Sequence, residues 1–369
     1  MHQRRNHNFT SVPFWKKNGD TVTRPTREEI VAAYKALLGR EPEKEAITIH
    51  MRAEGLEALL RDIRDSQEFM IRVKNNPLFY YNSNFDAMAT VCRHAKANTT
   101  PHPSYVTNYL GVRVDPAVCP SLLQGRGGEI EPIPVPSNWH ADIAEFAAVL
   151  RAVELARDTF TMAELGCGWG CWMNNAGTVA KRRGLKVFLM GVEGDQGHIA
   201  LAKKSLATNG FSPAEVQIFW GIAAATEGVA LFPCQEDPGS SYGLEPVFNA
   251  DAEARARALE TGSHNELPMV PLARMIDEAS TLDLLHIDIQ GGEADLVRDS
   301  LELINSRVSY LFIGTHSRQI EGRLFESLIA AGCWHLEIER PARLELYANP
   351  KVIVDGIQGW RNTRLVPGV

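Results

Sequence analysis

The stretch AELGCGWG, residues 163–170, decides how this chain is read. It closes an apolar run, TFTMAEL (159–165), and opens text of helical pattern from Cys171 onward. Glycines at 166, 168 and 170 let the backbone approach a bound nucleotide and adopt dihedrals that side chains disfavour. The spacing is GxGxG. Cys171 stands where a dinucleotide fingerprint places its third glycine, so pyrophosphate cofactors rank second.

Working outward, four further apolar runs follow, each separated by helix-sized text: KVFLMGV (186–192), VQIFWGI (216–222), LDLLHIDI (282–289) and VSYLFIGT (308–315). This alternation predicts a mostly parallel α/β sheet, Rossmann-like and seven-stranded, with helices on both faces. Two strand-like runs in WHLEIERPARLELYANPKVIVDG (334–356) are expected to close it as an antiparallel pair.

Ligands of open α/β sheets bind beyond the carboxyl ends of the strands, and the candidate residues gather there. Glu164, two residues before Gly166, suits a cofactor carrying ammonium and sulfonium charges; Cys167 lies inside the same turn. The second strand ends in GVEGD, placing Glu193 and Gly194 where a carboxylate can take two ribose hydroxyls. Gly221, Ile222 and Ala223 follow the third strand, where small or apolar residues flank an adenine. Together these pieces form a binding grammar for S-adenosyl-L-methionine.

Asp288 ends the fourth strand and His316 the fifth, 28 positions apart, so both emerge at the same edge of the sheet. Methyl transfer to a hydroxyl requires positioning and the removal of one proton. His316 is expected to be the base, its residue type titrating in the right range, with Asp288 orienting it or touching cofactor or acceptor. Magnesium has no motif of its own here and stays open at Asp288. Glu293 reads as a first-turn helix carboxylate and His286 as packed inside its strand. Trp139 and His140 in NWHADIAEF could close over a cofactor or simply enter a helix. Tyr105, Asn108 and Tyr109 could contact the acceptor but read first as packing.

The 369 residues are 44% hydrophobic and 22% charged, ample for a large core. With 45 acidic against 38 basic residues, the chain lacks the footprint of a general nucleic-acid binder, and the expected partner is a small molecule, a glycan hydroxyl or a protein. No stretch approaches the roughly 18 apolar residues of a membrane span. Six cysteines show neither a CxxC pair nor metal-ligand spacing, the usage of a reducing cytoplasm.

Four segments follow from these patterns: a loose N-terminus over 1–24, a helical module over 25–76, a proline-rich connector and lid over 77–137, and the sheet domain over 138–369. In the module, Thr26 and Glu29 have capping-box spacing, Gly39 stops the first helix, and helical patterns follow over 45–54, 56–64 and from Ser66 through Val73. The connector's aromatic residues, Phe79, Tyr80 and Tyr81 among them, suit a cover over a site.

The words YKALLGREP and SQEF resemble a short helical module related to phycobilisome linker repeats, which implies a docking role for 25–76. Over roughly 137–340, AELGCGWG, GVEGD and above all HIDIQGGE resemble the FkbM family of S-adenosylmethionine-dependent methyltransferases. That resemblance implies a class I methyltransferase fold and O-methylation of a hydroxyl, commonly on glycan sugars or glycosylated metabolites. Its motif transfers to Gly166, Gly168, Glu193, Asp288 and Glu293, while Gln290 stands where the family often has an acidic residue. The rival readings are an NAD(P)-dependent oxidoreductase, disfavoured by glycine spacing, and a cofactor-binding scaffold acting through its helices.

Overall fold

A computed structural model of the chain describes residues 23–69, 80–276, 281–346 and 348–368. The expected lid residue Phe79, the helix continuing to Val73 and the first 22 residues lie outside them.

Its centre is an eight-stranded sheet. In chain order the strands are β1 (Asn82–Ser83), β2 (Thr159–Leu165), β3 (Lys186–Glu193), β4 (Val216–Trp220), β5 (Leu284–Ile287), β6 (Tyr310–Thr315), β7 (Trp334–Arg340) and β8 (Gly356–Asn362). Across the sheet they run β1, β7, β8, β6, β5, β2, β3, β4. From β6 to β4 every pairing is parallel, whereas β8 runs antiparallel between β6 and β7. This is the Rossmann-like class I methyltransferase order, widened from the expected seven strands to eight. The extra strand is β1, a two-residue edge supplied by the connector and paired antiparallel with β7.

The tail departs from expectation in one further respect. Lys351–Val354 pairs with Arg343–Glu345 in a separate hairpin, and the strand that enters the sheet is the later run GIQGWRN. Burial explains the choice: β8 is buried along its whole length between two strands, whereas Lys351–Val354 alternates exposed and half-buried, the pattern of a one-faced ribbon.

Both faces of the sheet are covered. Along β2, Phe160 and Met162 join a core with the helices Ile143–Leu155 and Cys171–Arg182, while Ala163 and Leu165 join a second core with Glu293–Asp299 and Arg318–Ala331. Successive side chains of a strand point to opposite faces, so one strand feeds both cores.

The described part of 25–76 carries three helices. Arg27–Leu38 starts with the Thr26/Glu29 capping box and ends on left-handed Gly39. The second helix is shorter than expected, Lys44–His50, and the third spans Leu56–Arg64. Ser66 Oγ accepts a hydrogen bond from the Phe69 amide. The buried stripe of Ile30, Leu37, Leu59, Leu60 and Ile63 turns inward and shares one continuous core with Val91 of helix Ala87–Arg93 and with Phe146 and Val149 of Ile143–Leu155.

Because that core is continuous, Leu59→Ala should destabilise the whole chain by about 2–5 kcal/mol. Denaturation followed by tryptophan fluorescence and by circular dichroism should give one shared transition; a separate early transition would mean that the module unfolds independently.

Candidate active site

The chain leaves β2 towards β3 and β4 on one side of the sheet and returns to β5 and β6 on the other. The carboxyl ends of β2 and β5 therefore flank the switch point at which such sheets bind ligands. A cleft opens there, lined by Gly166, Gly168, Glu193, Gly194, Gly221, Ile222 and Asp288 among others. Seven of the ten residues expected from the sequence to bind the cofactor thus line the same cleft.

Two of these glycines could not be replaced. Gly166 has φ +75°, and a Cβ there would stand 2.0 Å from the Asp288 carbonyl oxygen; a Cβ on Gly221 would stand 2.5 Å from the Pro268 carbonyl oxygen. Glu193 reaches the cleft with its Oε2 accepting from the Gly168 amide at 2.8 Å and its Oε1 from the Asp195 amide at 2.9 Å. Each carboxylate oxygen retains a second lone-pair site, so two hydroxyl donors can still be accepted. A glycine floor without side chains, a carboxylate with spare acceptor sites and an apolar Ile222 wall fit an adenosyl group.

Glu164, Cys167 and Gly170 stand behind the cleft instead. The Glu164 carboxylate accepts from the amides of Trp172 (3.2 Å) and Met173 (2.8 Å), closing the first turn of helix Cys171–Arg182. Burial pushes its carboxyl up to about 8, against those amides. The Cys167 thiol fills the space over Gly191, and left-handed Gly170 caps the helix. Trp139 stacks on Trp169, and His140, whose value burial pulls down to about 4, lies 3.5 Å from Cys171 Sγ among aromatic rings. Asn108 and Tyr109 are packing residues, bonded to Asn175 and set against Phe146.

His316 is not where a free base would be. Its Nε2 lies 3.2 Å from Asp288 Oδ1 and its Nδ1 3.0 Å from Glu293 Oε1. Burial pulls the imidazole down, but the hydrogen bonds and charges of Asp288 and Glu293 outweigh it and push the ring up to about 10. At neutral pH both nitrogens carry protons, so the ring is a clamp. Burial likewise raises Asp288, yet the bond and charge of His316, then His286 and Gln290, hold its carboxyl below the usual range. The three side chains place one donor atom each within 4.8 Å of one another, a set able to take a divalent cation.

Glu293 does more than favour a helix start. Fully buried, it accepts from the Ile289 and Gly291 amides at 3.1 and 3.0 Å and so staples the turn after β5 from inside. That turn carries Gln290 at φ +59°, a left-handed conformation costing a non-glycine residue about 1–2 kcal/mol.

Opposite this wall stands a roof absent from the sequence reading. Ile222–Ala224, Gly228–Pro233 and His264–Pro271 form a small three-stranded sheet, and the segment after Gly228–Pro233 brings Tyr242, Gly243, Leu244 and Phe248 over the cleft. The Tyr242 ring stacks on His198 at 4.2 Å, and its hydroxyl donates to the Val118 carbonyl of the connector at 2.8 Å. The apolar runs GVALFP (228–233) and ELPMVP (266–271) were the signal that could have revealed it.

A protein of Jannaschia sp. (strain CCS1), provisionally named a methyltransferase, is 46% identical over 264 residues, 71% of this chain and 94% of its own length. The chain belongs to that methyltransferase family. No family model matches it. The solved methyltransferase FkbM of Methylobacillus flagellatus KT is 14% identical, covering 58% of this chain and 53% of that one with a TM-score of 0.35. A METTL16 methyltransferase domain is also 14% identical, over 66% and 94%, with a TM-score of 0.35. Likenesses this low leave the fold to rest on the strand order above. Membership implies S-adenosylmethionine as the cofactor and sets the oxidoreductase reading aside. Among the methyltransferase's described residues, no helix is long and apolar enough to cross a membrane.

The clamp has a measurable signature. In nitrogen-resolved NMR, His316 should remain doubly protonated at pH 8; a neutral single-tautomer pattern there would refute it. Because the folded value is raised, the stability that the clamp contributes is complete below about 6.5 and is lost as pH rises through about 10. The gap in stability between wild type and His316→Asn should therefore narrow over that window in urea titrations.

Proposed function

We propose that this methyltransferase methylates a hydroxyl group, on a sugar of a surface glycan or a glycosylated metabolite. The observation that carries the reading is the Asp288 carboxylate, which lies on the cleft wall beside the glycine turn and is kept ionised by the clamped imidazole. The acidic balance of the chain, 45 against 38, supports a neutral acceptor in preference to a polyanion. The resemblance carried by HIDIQGGE supports the sugar class.

The bound cofactor supplies an electrophilic methyl group on a sulfonium. Gly166 and Gly168 leave the backbone open to it, Glu193 accepts its ribose hydroxyls, and Gly194, Gly221 and Ile222 wall the adenine side. Asp288 holds the acceptor hydroxyl and takes its proton. A weakly basic carboxylate suffices, because a hydroxyl oxygen becomes strongly acidic once it is alkylated. His316 positions Asp288 and balances its charge, Glu293 fixes His316, and the roof excludes water. A cation at the same three side chains would replace the clamp's protons and polarise the acceptor oxygen.

Tritium transfer from labelled cofactor to a panel of methyl pyranosides tests the reading. Asp288→Asn should lower turnover by about 10²-fold or more. Turnover should stay flat between about pH 5 and 9 and fall as His316 deprotonates near 10; a rate that climbs towards pH 10 would return the base role to His316. EDTA should leave the rate unchanged, and loss restored by magnesium would assign Asp288 to a metal. Glu193→Ala should weaken cofactor binding tenfold or more by calorimetry, since each charge-assisted bond contributes about 1.5–3 kcal/mol.

A further inference from the structure

Several features of the turn after β5 converge on one side chain. Gln290 is a non-glycine residue in left-handed backbone, and such strain persists only where surrounding structure enforces it. Glu293 enforces it here, its buried carboxylate engaged with the amides on both sides of Gln290. The side chain thereby faces the cleft, where its Nε2 donates to Asp288 Oδ1 at 3.2 Å. That bond orients the amide, because a carboxylate demands a donor, and it leaves Oε1 as the outward group. Among the described residues Oε1 has no hydrogen-bond partner. Gly243 of the roof faces it across the cleft, where a Cβ would stand 3.5 Å from Oε1, an ordinary contact distance.

We infer that Gln290 is an acceptor-binding residue whose Oε1 accepts from a second hydroxyl of the substrate, next to the one that Asp288 holds. The inference rests on the hydroxyl-acceptor reading above and narrows it. With Gln290 Nε2 bonded to Asp288 Oδ1 at 3.2 Å, the carboxylate and the amide oxygen stand side by side and can take two donors on neighbouring carbons. The acceptor class is a vicinal diol, as in a pyranose ring, in preference to an isolated alcohol. An amide also accepts without adding negative charge beside Asp288, which a carboxylate at position 290 would do.

The test compares wild type, Gln290→Ala and Gln290→Gly on methyl pyranosides and on their monodeoxy analogues lacking the neighbouring hydroxyl. Wild type should favour the intact diol tenfold or more through KM, because an unanswered polar group in a desolvated site is costly. Both variants should raise the diol's KM about tenfold with kcat within threefold, and lose the preference for diol over deoxy sugar. Gln290→Gly should also raise the melting temperature by a few degrees and bind S-adenosylhomocysteine within twofold of wild type, as expected if the strained turn serves a ligand and not the fold. Unchanged KM and preference in both variants would overturn the assignment while leaving hydroxyl methylation intact. A lower melting temperature for Gln290→Gly would likewise overturn it, making the residue structural. No labelling of any pyranoside by wild type would overturn the hydroxyl reading itself, and the diol with it.

Discussion

The carbonyl oxygen of Asp288 occupies the place where a Cβ on residue 166 would have to be, 2.0 Å away. The ends of β2 and β5 can approach this closely only because Gly166 has no side chain and accepts a left-handed backbone. Everything chemical in the molecule hangs on that approach. It brings the glycine floor and Asp288 to one wall and opens the cleft where the strand order reverses. It also sets Glu193, at the end of β3, within hydrogen-bonding distance of the Gly168 amide.

Around this point the same buried environment drives ionisable groups in opposite directions. Burial pulls His140 and His286 down to about 4 and pushes Glu164 up to about 8, because none of them meets an opposing charge strong enough to offset lost hydration. His316 is buried too, yet two carboxylates reverse the sign and push it up to about 10. Burial alone therefore says little about a titrating group, and its nearest charged partner decides. This is also why His316 is held between two carboxylates as a charged ring and not as a neutral imidazole.

The roof and the connector meet at Tyr242, which is stacked on His198 and donates from its hydroxyl to the connector's Val118 carbonyl. The connector in turn supplies the edge strand β1 and packs through Ala87–Arg93 on the helix Ile143–Leu155. Segments that read as separate pieces along the chain are thus joined by packing.

Much of this was legible in the chain. Apolar runs of strand length placed all five parallel strands, since alternation of strand and helix text is a local property, and the capping box at Thr26 and Glu29 and the stop at Gly39 needed only short-range hydrogen bonds. The glycines at 166 and 168, Glu193 and Asp288 were visible because the close approach restricts residue type at fixed offsets from strand ends. Other features depended on contacts between residues far apart. The choice of Gly356–Asn362 over Lys351–Val354 for the sheet turned on which run could be buried on both faces. Glu164 went to the helix amides because β2 carries it behind the turn. The protonation of His316 needed Glu293 and Asp288, 23 and 28 positions away, and the left-handed Gln290 needed that same Glu293 beneath it. The sequence by itself determined the five parallel strands and the glycine turn that ends β2; the tertiary structure decided which groups hold protons, because a charge responds to neighbours in space and not to neighbours in the chain.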